Sequence, residues 1–352
     1  MIKSLITLVL FVLTFSSFCQ NDHKSTADNN GEFVCFVYHR FGDDRYPSTN
    51  ISSEVFRQQL QYLKNNHFHV LSLGETIQAL KSGKGIPEKT VVLTIDDGYK
   101  SFLTAGLPIL KEFGYPATLF VNTKTAGGGD YLSWEELKQI ADEAIEIGNH
   151  SHSHSYFLNL DKDELARSFR EDVESAQKIF RLNLHLTPKV FSYPYGEFNK
   201  EMITIIRDLG FLGAAAQNSG VVYKESDLYA LPRFPMGGPF ATLEGFKSKA
   251  NMHALPVIWE KPESLCFSEN PPELTICLDP LKIRKDQIQC FIHGSRKNIL
   301  KKELTKDGLV IRMRADQKLS GRRTLYTITA PLADGSGWCW YSHLWVNTEV
   351  SE

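Results

Sequence analysis

Short apolar runs alternate with amphipathic segments along the first 250 residues of the chain. The runs have the length and composition of buried strands, and they cover 33–39, 70–73, 91–95, 117–121, 145–147 and 190–192. The segments between them show helical spacing of apolar residues, over 55–65, 75–82, 101–113, 133–144, 162–180 and 200–209. Such alternation predicts parallel strands covered by helices. About six or seven such units fit a distorted (β/α) barrel.

The pattern changes after about residue 256, where strand-like runs are separated by Gly-Ser, Asp-Gly and Pro-containing turns. The runs cover 274–278, 288–293, 309–313, 324–329 and 338–346. They predict a small all-β, sandwich-like domain over 256–352, after a first domain over 32–255. The sequence does not indicate what the second domain does. Its Trp338, Trp340, Tyr341 and Trp345 fit either sugar stacking or a core and interface role.

The N-terminus has the pattern of an export signal. Lys3, an apolar stretch over 5–15 and two small residues predict a signal peptide over 1–19. Residues 20–31 are polar and predict a disordered leader. The apolar stretch is short for a membrane span, which disfavours an uncleaved anchor. We therefore expect a mature chain without a transmembrane segment, secreted or located in the periplasm or cell envelope.

Overall charge gives little support to an anionic partner. The formal net charge of the 352-residue chain is −2, so bulk electrostatics do not favour nucleic acid. Partner and chemistry must be sought in local motifs instead.

Two acidic residues end the strand at 91–95, and two histidines four residues apart follow some fifty positions later. Asp96 and Asp97 are adjacent, so their side chains point to opposite sides of the strand end. His150 and His154 would share one face if they lay in a helical turn. Together with Asp97 they would form a three-ligand metal site that leaves a position for water. Asp96 would then be free to act as general base.

Each half of this pattern has an ordinary alternative. An Asp-Asp-Gly sequence alone is typical of a turn with a solvated acidic pair. A His-Ser-His-Ser-His run alone is typical of an exposed loop or an incidental metal-binding tract. The two halves together favour metal-assisted hydrolysis. The ligand set accepts Zn, with Co, Ni or Fe as alternatives, because availability can override affinity.

At these residues the sequence resembles the polysaccharide deacetylase family, the NodB-homology carbohydrate esterases. Thr94 to Gly98 resembles the first motif of that family, and His150-Ser151-x-x-His154 resembles the second. The segment from Phe191 to Gly196 resembles the third motif, which lines one wall of the groove. The resemblance implies a NodB-type barrel, Asp96 as base, and Asp97, His150 and His154 as metal ligands. It also implies the backbone N–H of Tyr195 as an oxyanion donor.

Two features depart from the family pattern, one in the third motif and one in the last motif. The third motif usually opens with an arginine that orients the catalytic aspartate, and Ser192 stands there instead. Arg233 could replace that arginine, or it could be an ordinary surface residue.

The family's last motif, a strand carrying a catalytic histidine, is missing downstream, but the strand at 33–39 ends in His39. This arrangement resembles the circularly permuted branch, which includes the poly-N-acetylglucosamine deacetylases. In a barrel the first and last strands are neighbours, so the histidine can keep its place in space. His39 would be the general acid. Two alternatives remain: His39 has only a structural role, or His253 is the general acid instead.

The resemblance therefore implies hydrolysis of the N-acetyl groups of an N-acetylated amino-sugar polymer or oligomer, releasing acetate and a free amine. Three alternatives stay open. A peptidoglycan or chitin oligomer could replace poly-N-acetylglucosamine as the substrate. The same site could remove O-acetyl groups from a polysaccharide such as xylan, because both reactions share a tetrahedral intermediate. The protein could also bind glycans without catalysis.

Overall fold

A computed structural model describes residues 31–351 of the chain. The predicted signal peptide and nearly all of the predicted leader lie outside these residues. Within 31–351, no helix combines the length and the hydropathy needed to cross a membrane.

The first domain is built on a curled sheet whose strands are mostly parallel. Within the described residues its strands are β1 (Phe33–Tyr38), β2 (Arg40–Phe41), β3 (Asn50–Ile51), β4 (His69–Leu71), β5 (Thr90–Ile95), β6 (Ala117–Val121), β7 (Ile145–Asn149), β8 (Val190–Ser192), β9 (Gly213–Ala215), β10 (Val221–Val222) and β11 (Phe234–Pro235). Nine of them form one sheet in the order β10-β1-β5-β6-β7-β8-β9, with β4 beside β5 and β11 beside β1. β2 and β3 pair separately.

Helices cover this sheet, and most of them start at a polar side chain that caps the first turn. They are α1 (Ser53–Asn65), α2 (Leu73–Lys81), α3 (Leu107–Phe113), α4 (Trp134–Ala141), α5 (Lys162–Leu184), α6 (Lys200–Asp208) and α7 (Leu243–Ala250). A serine, threonine, aspartate or asparagine caps all of these except α3, which continues from a π-helical segment at Phe102–Gly106. The sequence predicted α1 to α6 but not α7.

A segment between β10 and α7 joins the two ends of the curled sheet. Leu231 N donates to Ala214 O in β9, and Met236 N donates to Val37 O in β1. β1 and β5 are buried along their whole length, as expected for strands covered on both faces. The predicted fold, a distorted barrel with helices outside, is confirmed.

The second domain consists of two four-stranded sheets, and its first strand begins at Met252, four residues before the predicted boundary at 256. Its strands are β12 (Met252–Ala254), β13 (Val257–Lys261), β14 (Glu273–Leu278), β15 (Gln289–Ile292), β16 (Asn298–Thr305), β17 (Gly308–Ala315), β18 (Arg323–Pro331) and β19 (Trp338–Val346). The sheets run β12-β19-β18-β15 and β13-β14-β17-β16. Residues from both, including Ile276, Ile311 and Ile328, share one apolar core, which confirms the all-β prediction.

The tryptophans of β19 serve the core and the domain interface. Trp345 is 1% exposed and packs edge-on against Tyr326 inside the second domain. Trp340 lies 5.6 Å from the ring of Phe234 in the first domain. Trp338 keeps 39% of its surface exposed. These contacts favour the core and interface interpretation over sugar stacking for Trp340 and Trp345.

Candidate metal and active site

The predicted site residues gather at one edge of the curled sheet. Asp96 and Asp97 follow β5, His150 follows β7, and Ser192 ends β8. β1 pairs with β5 so that Tyr38 lies opposite Ile95, and Asp96 N donates to Tyr38 O. His39 is therefore beside the acidic pair. Parallel strands place their carboxyl ends at the same edge, which is where barrel enzymes carry their active sites.

Asp97, His150 and His154 present one ligand atom each to a common point. The two Nε2 atoms of the histidines are 3.2 Å apart. Asp97 Oδ1 is 3.5 Å from each of them. Ligand atoms bound tetrahedrally to one ion at about 2.0–2.1 Å lie roughly 3.3–3.4 Å from each other. The triangle therefore fits a single metal ion of zinc size.

Hydrogen bonds and neighbouring charges set the protonation of the three ligands. His150 Nδ1 is 2.8 Å from Ser192 O and donates to it, which leaves Nε2 to face the other two ligands. Burial would lower the pKa of His150, but the carboxylates of Asp96 and Asp97 raise it, so binding of a metal at Nε2 would release a proton. Burial, together with the neighbouring His150, lowers the pKa of His154 to about 4, so this ring is neutral at pH 7. Burial would raise the pKa of Asp97, but His150 and His39 hold it below its usual range.

The loop between His150 and His154 is not helical, so the expected helical turn is wrong. Ser151 and His154 instead have positive φ, of 68° and 54°. Asn149 Oδ1 accepts from Ser151 N, and Ser151 Oγ accepts from His154 N. A left-handed residue at each end folds the loop back, and side-chain bonds to its backbone stabilise it. The histidines meet for this reason rather than through a helix face.

Asp172 of α5 also supports the loop. Its carboxylate accepts from His152 N at 2.6 Å and from Ser153 N at 3.0 Å. Sequence reasoning missed Asp172, because its only signal would be an acidic residue on a helix that carries several others.

Arg233 binds Asp96 through both ends of its guanidinium. Nη1 donates to Oδ1 and Nη2 donates to Oδ2, each at 2.8 Å. Both side chains are fully buried. Nη2 also donates to Ser192 Oγ at 3.0 Å. The serine in the third motif thus leaves space that Arg233 fills from the segment joining the sheet ends. Arg233 is therefore not an ordinary surface arginine.

The charge state of Asp96 follows from this pairing. Burial alone would raise the pKa of Asp96, but the nearby guanidinium of Arg233 and the His150 ring hold it below its usual value. Asp96 is therefore an oriented carboxylate, able to accept a proton at neutral pH.

Tyr195 lies beside His154, one of the three candidate metal ligands. Its ring is 4.5 Å from the ring of His154 and stacks on Tyr156 at 3.8 Å. Its φ is 59°, a region that non-glycine residues avoid.

Positive φ is concentrated around this site. Seven non-glycine residues among those described have it, and four are Asp97, Ser151, His154 and Tyr195. Strained backbone of this kind persists where surrounding contacts enforce it, and it clusters at functional sites.

His253 lies elsewhere. It is on β12 in the second domain, and its Nδ1 is 2.9 Å from Glu32 Oε2. The structure places His39, rather than His253, beside the acidic pair.

Comparison with known proteins agrees with the motifs. The family model described as polysaccharide deacetylase matches residues 83–214. A poly-beta-1,6-N-acetyl-D-glucosamine N-deacetylase of Escherichia coli is 30% identical over 246 residues, 58% of this chain and 36% of the relative. The chain contains a polysaccharide deacetylase domain. The chain thus spans about a third of the length of that Escherichia coli relative.

Other relatives and solved structures extend the comparison of this deacetylase domain. A protein of the same name from Staphylococcus aureus is 26% identical over 208 residues, 56% of this chain and 71% of the relative. The structure of IcaB from Ammonifex degensii superposes with a TM-score of 0.52 at 24% identity, covering 62% of this chain and 96% of that one. The deacetylase PplD of Streptococcus pyogenes gives 0.57 at 20% identity, covering 62% and 98%. These structures share the fold.

Proposed function

We propose that the protein removes acetyl groups from the amino sugars of an N-acetylglucosamine-containing polysaccharide, with the help of one divalent metal ion. The observation that carries this proposal is the ligand triangle of Asp97, His150 and His154 beside a buried carboxylate, Asp96, that Arg233 orients. The curated relatives named as poly-N-acetylglucosamine deacetylases support the same substrate class.

Asp97, His150 and His154 would hold the ion. Zinc fits the two imidazoles, the carboxylate and the spacing of the ligand atoms, and Co, Ni or Fe would fit the same donors. When bound, the ion supplies Lewis-acid chemistry, activating a water molecule and polarising the acetyl carbonyl.

The chain's own groups would manage the protons and the developing charge. Asp96 accepts the proton of the attacking water, and the Arg233 fork keeps its carboxylate ionised and oriented. The N–H of Tyr195 donates to the acyl oxygen as negative charge develops there. His39 delivers a proton to the departing sugar nitrogen. The products are acetate and a free amine.

A polymer substrate and an export route complete the proposal. The signal-like N-terminus suits a substrate at the cell surface, so we place the protein outside the cytoplasm, secreted or in the cell envelope.

The proposal is tested by acetate release from N-acetylglucosamine oligomers. Protein stripped of metal should release none, and adding back Zn or Co should restore release. Asp96→Asn should reduce the restored rate by about 10²–10⁴-fold, the usual contribution of a general base. Asp172→Asn serves as a milder comparison, since it leaves every reacting group in place. If acetate is released with neither Zn nor Co, the proposal is contradicted. Release only from acetylated xylan would favour an O-acetyl esterase.

A further inference from the structure

Two consecutive arginines of the second domain reach the wall of the site that carries Tyr195. Arg322 immediately precedes β18, and Arg323 is its first residue. Arg323 Nη1 donates to Tyr195 O at 3.1 Å. Arg322 Nε and Nη2 donate to the two carboxylate oxygens of Glu197, both at 2.7 Å. The turn at 195–197 is therefore bound at both ends by one strand of the second domain.

The same arginines support the residue that stacks on Tyr195. Arg322 lies over the ring of Tyr156 at 4.3 Å and donates to Asn159 Oδ1 at 3.0 Å. Arg323 lies 5.5 Å from the ring of Tyr195. Both walls of this stack, the segments 156–159 and 195–197, are thus held from the second domain.

Arg322 is itself anchored in the second domain. Its Nη1 donates to Val350 O at 2.9 Å, and its own carbonyl accepts from Asn347 N at 2.7 Å. The guanidinium is nearly inaccessible to solvent. Because Arg322 is fixed within the second domain, the position of β18 determines the position of the turn at 195–197.

Tyr195 needs this support because of its backbone. Its φ of 59° directs the peptide N–H, and a residue with a Cβ leaves this region when nothing holds it. A bond to its carbonyl oxygen opposes that relaxation directly. In contrast, the metal ligands are held by Asn149, Ser151 and Asp172 within the first domain.

We propose that the second domain is a clamp that positions the oxyanion donor, with Arg323 as the positioning residue for Tyr195. The clamp rests on the proposed deacetylase function and gives the second domain a role in it. The clamp positions only the Tyr195 N–H, which donates to the acyl oxygen. Loss of the clamp should therefore lower kcat without changing metal binding. Substrate affinity in the ground state should also change little, because the bond strengthens as charge develops.

The test compares Arg323→Ala and Arg323→Lys with the wild type in the full chain, on N-acetylglucosamine oligomers with Zn restored. Arg314→Ala is the matched control, since Arg314 is an exposed arginine on β17 of the same domain. We expect Arg323→Ala to lower kcat by about 10- to 100-fold, below the roughly 10²–10³-fold cost of deleting an oxyanion donor. KM should stay within about twofold. The lysine keeps a donor for Tyr195 O and should lie between alanine and wild type.

Two further readouts separate positioning from loss of structure. Calorimetric Zn binding to the metal-free protein and the thermal unfolding midpoint should be the same for wild type, Arg323→Ala and Arg314→Ala. A kcat for Arg323→Ala equal to that of Arg314→Ala would overturn the clamp alone. A fall in kcat matched by an equal loss of Zn binding would also overturn it. Absence of acetate release from the wild type would overturn the proposed function, and the clamp with it.

Discussion

Arg233 stabilises the buried charge of Asp96 from a position that spacing in the sequence does not reveal. The two residues are 137 positions apart and meet because the segment that carries Arg233 bonds to β9 at Leu231 and to β1 at Met236. The family resemblance made Arg233 a candidate to replace the missing arginine, with an ordinary surface arginine as the alternative, and only the folded chain shows the two-ended contact. Asp96, Asp97 and His150 were predictable because they follow apolar runs that end at the site, and His154 was predictable from its spacing of four from His150.

Removal of Arg233 should damage both stability and catalysis. Arg233→Ala leaves a fully buried carboxylate without its partner, which costs about 3–5 kcal/mol of unfolding free energy. Adding Ser192→Arg to this variant should recover part of the loss, because Ser192 Oγ is 3.3 Å from Asp96 Oδ2. Urea unfolding and acetate release measure both effects. Arg170→Ala, which breaks an exposed pair with Asp208, is the control and should cost at most about 1 kcal/mol. Equal losses in Arg233→Ala and the control would contradict the assignment.

His39 should matter most when the leaving group is an amine. A sugar nitrogen cannot depart without a proton, whereas the phenolate of 4-nitrophenyl acetate can. His39→Gln should therefore slow N-deacetylation by about 10²–10⁴-fold and ester hydrolysis much less. His253→Gln is the control, since His253 is paired with Glu32 away from the site. A similar loss on both substrates would mean that His39 is not the general acid.

At the scale of elements, apolar periodicity predicted long buried strands, but it missed the short buried strands β9 and β10 as well as exposed strands. β5 was found because all six of its residues are buried. β16 was missed because it is an exposed edge strand in which lysines and glutamate interrupt the apolar residues. The loop from His150 to His154 was taken for a helical turn, since spacing alone cannot show that Ser151 and His154 have positive φ.

Glu146 of β7 links neighbouring elements and should make their stability depend on pH. Its Oε2 accepts from Gly74 N in α2 and from Thr118 Oγ1 in β6. Burial raises its pKa, so the folded protein holds this proton more tightly than the unfolded chain. The wild type should therefore lose stability relative to Glu146→Gln as pH rises above about 4.3, the ordinary glutamate value.

Urea unfolding of both proteins at pH 4 and pH 8 measures this effect. The amide oxygen of the glutamine can accept the same two hydrogen bonds without a buried charge, so the difference should favour the variant at pH 8 and shrink at pH 4. Glu171→Gln, an exposed change on α5, is the control. A difference between wild type and Glu146→Gln that stays constant with pH would refute the argument.

At the scale of the whole molecule, the two domains are joined by buried charge as well as by apolar contact. The sequence predicted both domains but gave no sign that Arg322 would meet Glu197, 125 positions away. The contact arises because β18 begins beside the third-motif wall. Nothing in the local pattern of either segment encodes that proximity.

Replacing either Arg322 or Glu197 should lower the free energy of unfolding of the whole protein. Replacing both should lower it by less than the sum of the two single losses. The Arg322 and Glu197 side chains are 1% and 3% exposed, so Arg322→Met or Glu197→Gln alone leaves a buried charge without the opposite charge that offsets its desolvation. Each single change should cost about 3–5 kcal/mol in denaturant unfolding, because desolvation is no longer offset. The double variant buries neither charge. The sum of the two single losses of unfolding free energy should therefore exceed the loss in the double variant by at least about 1 kcal/mol. Additive losses, or single losses as small as that of Arg314→Ala, would show that the interface is held by apolar packing alone.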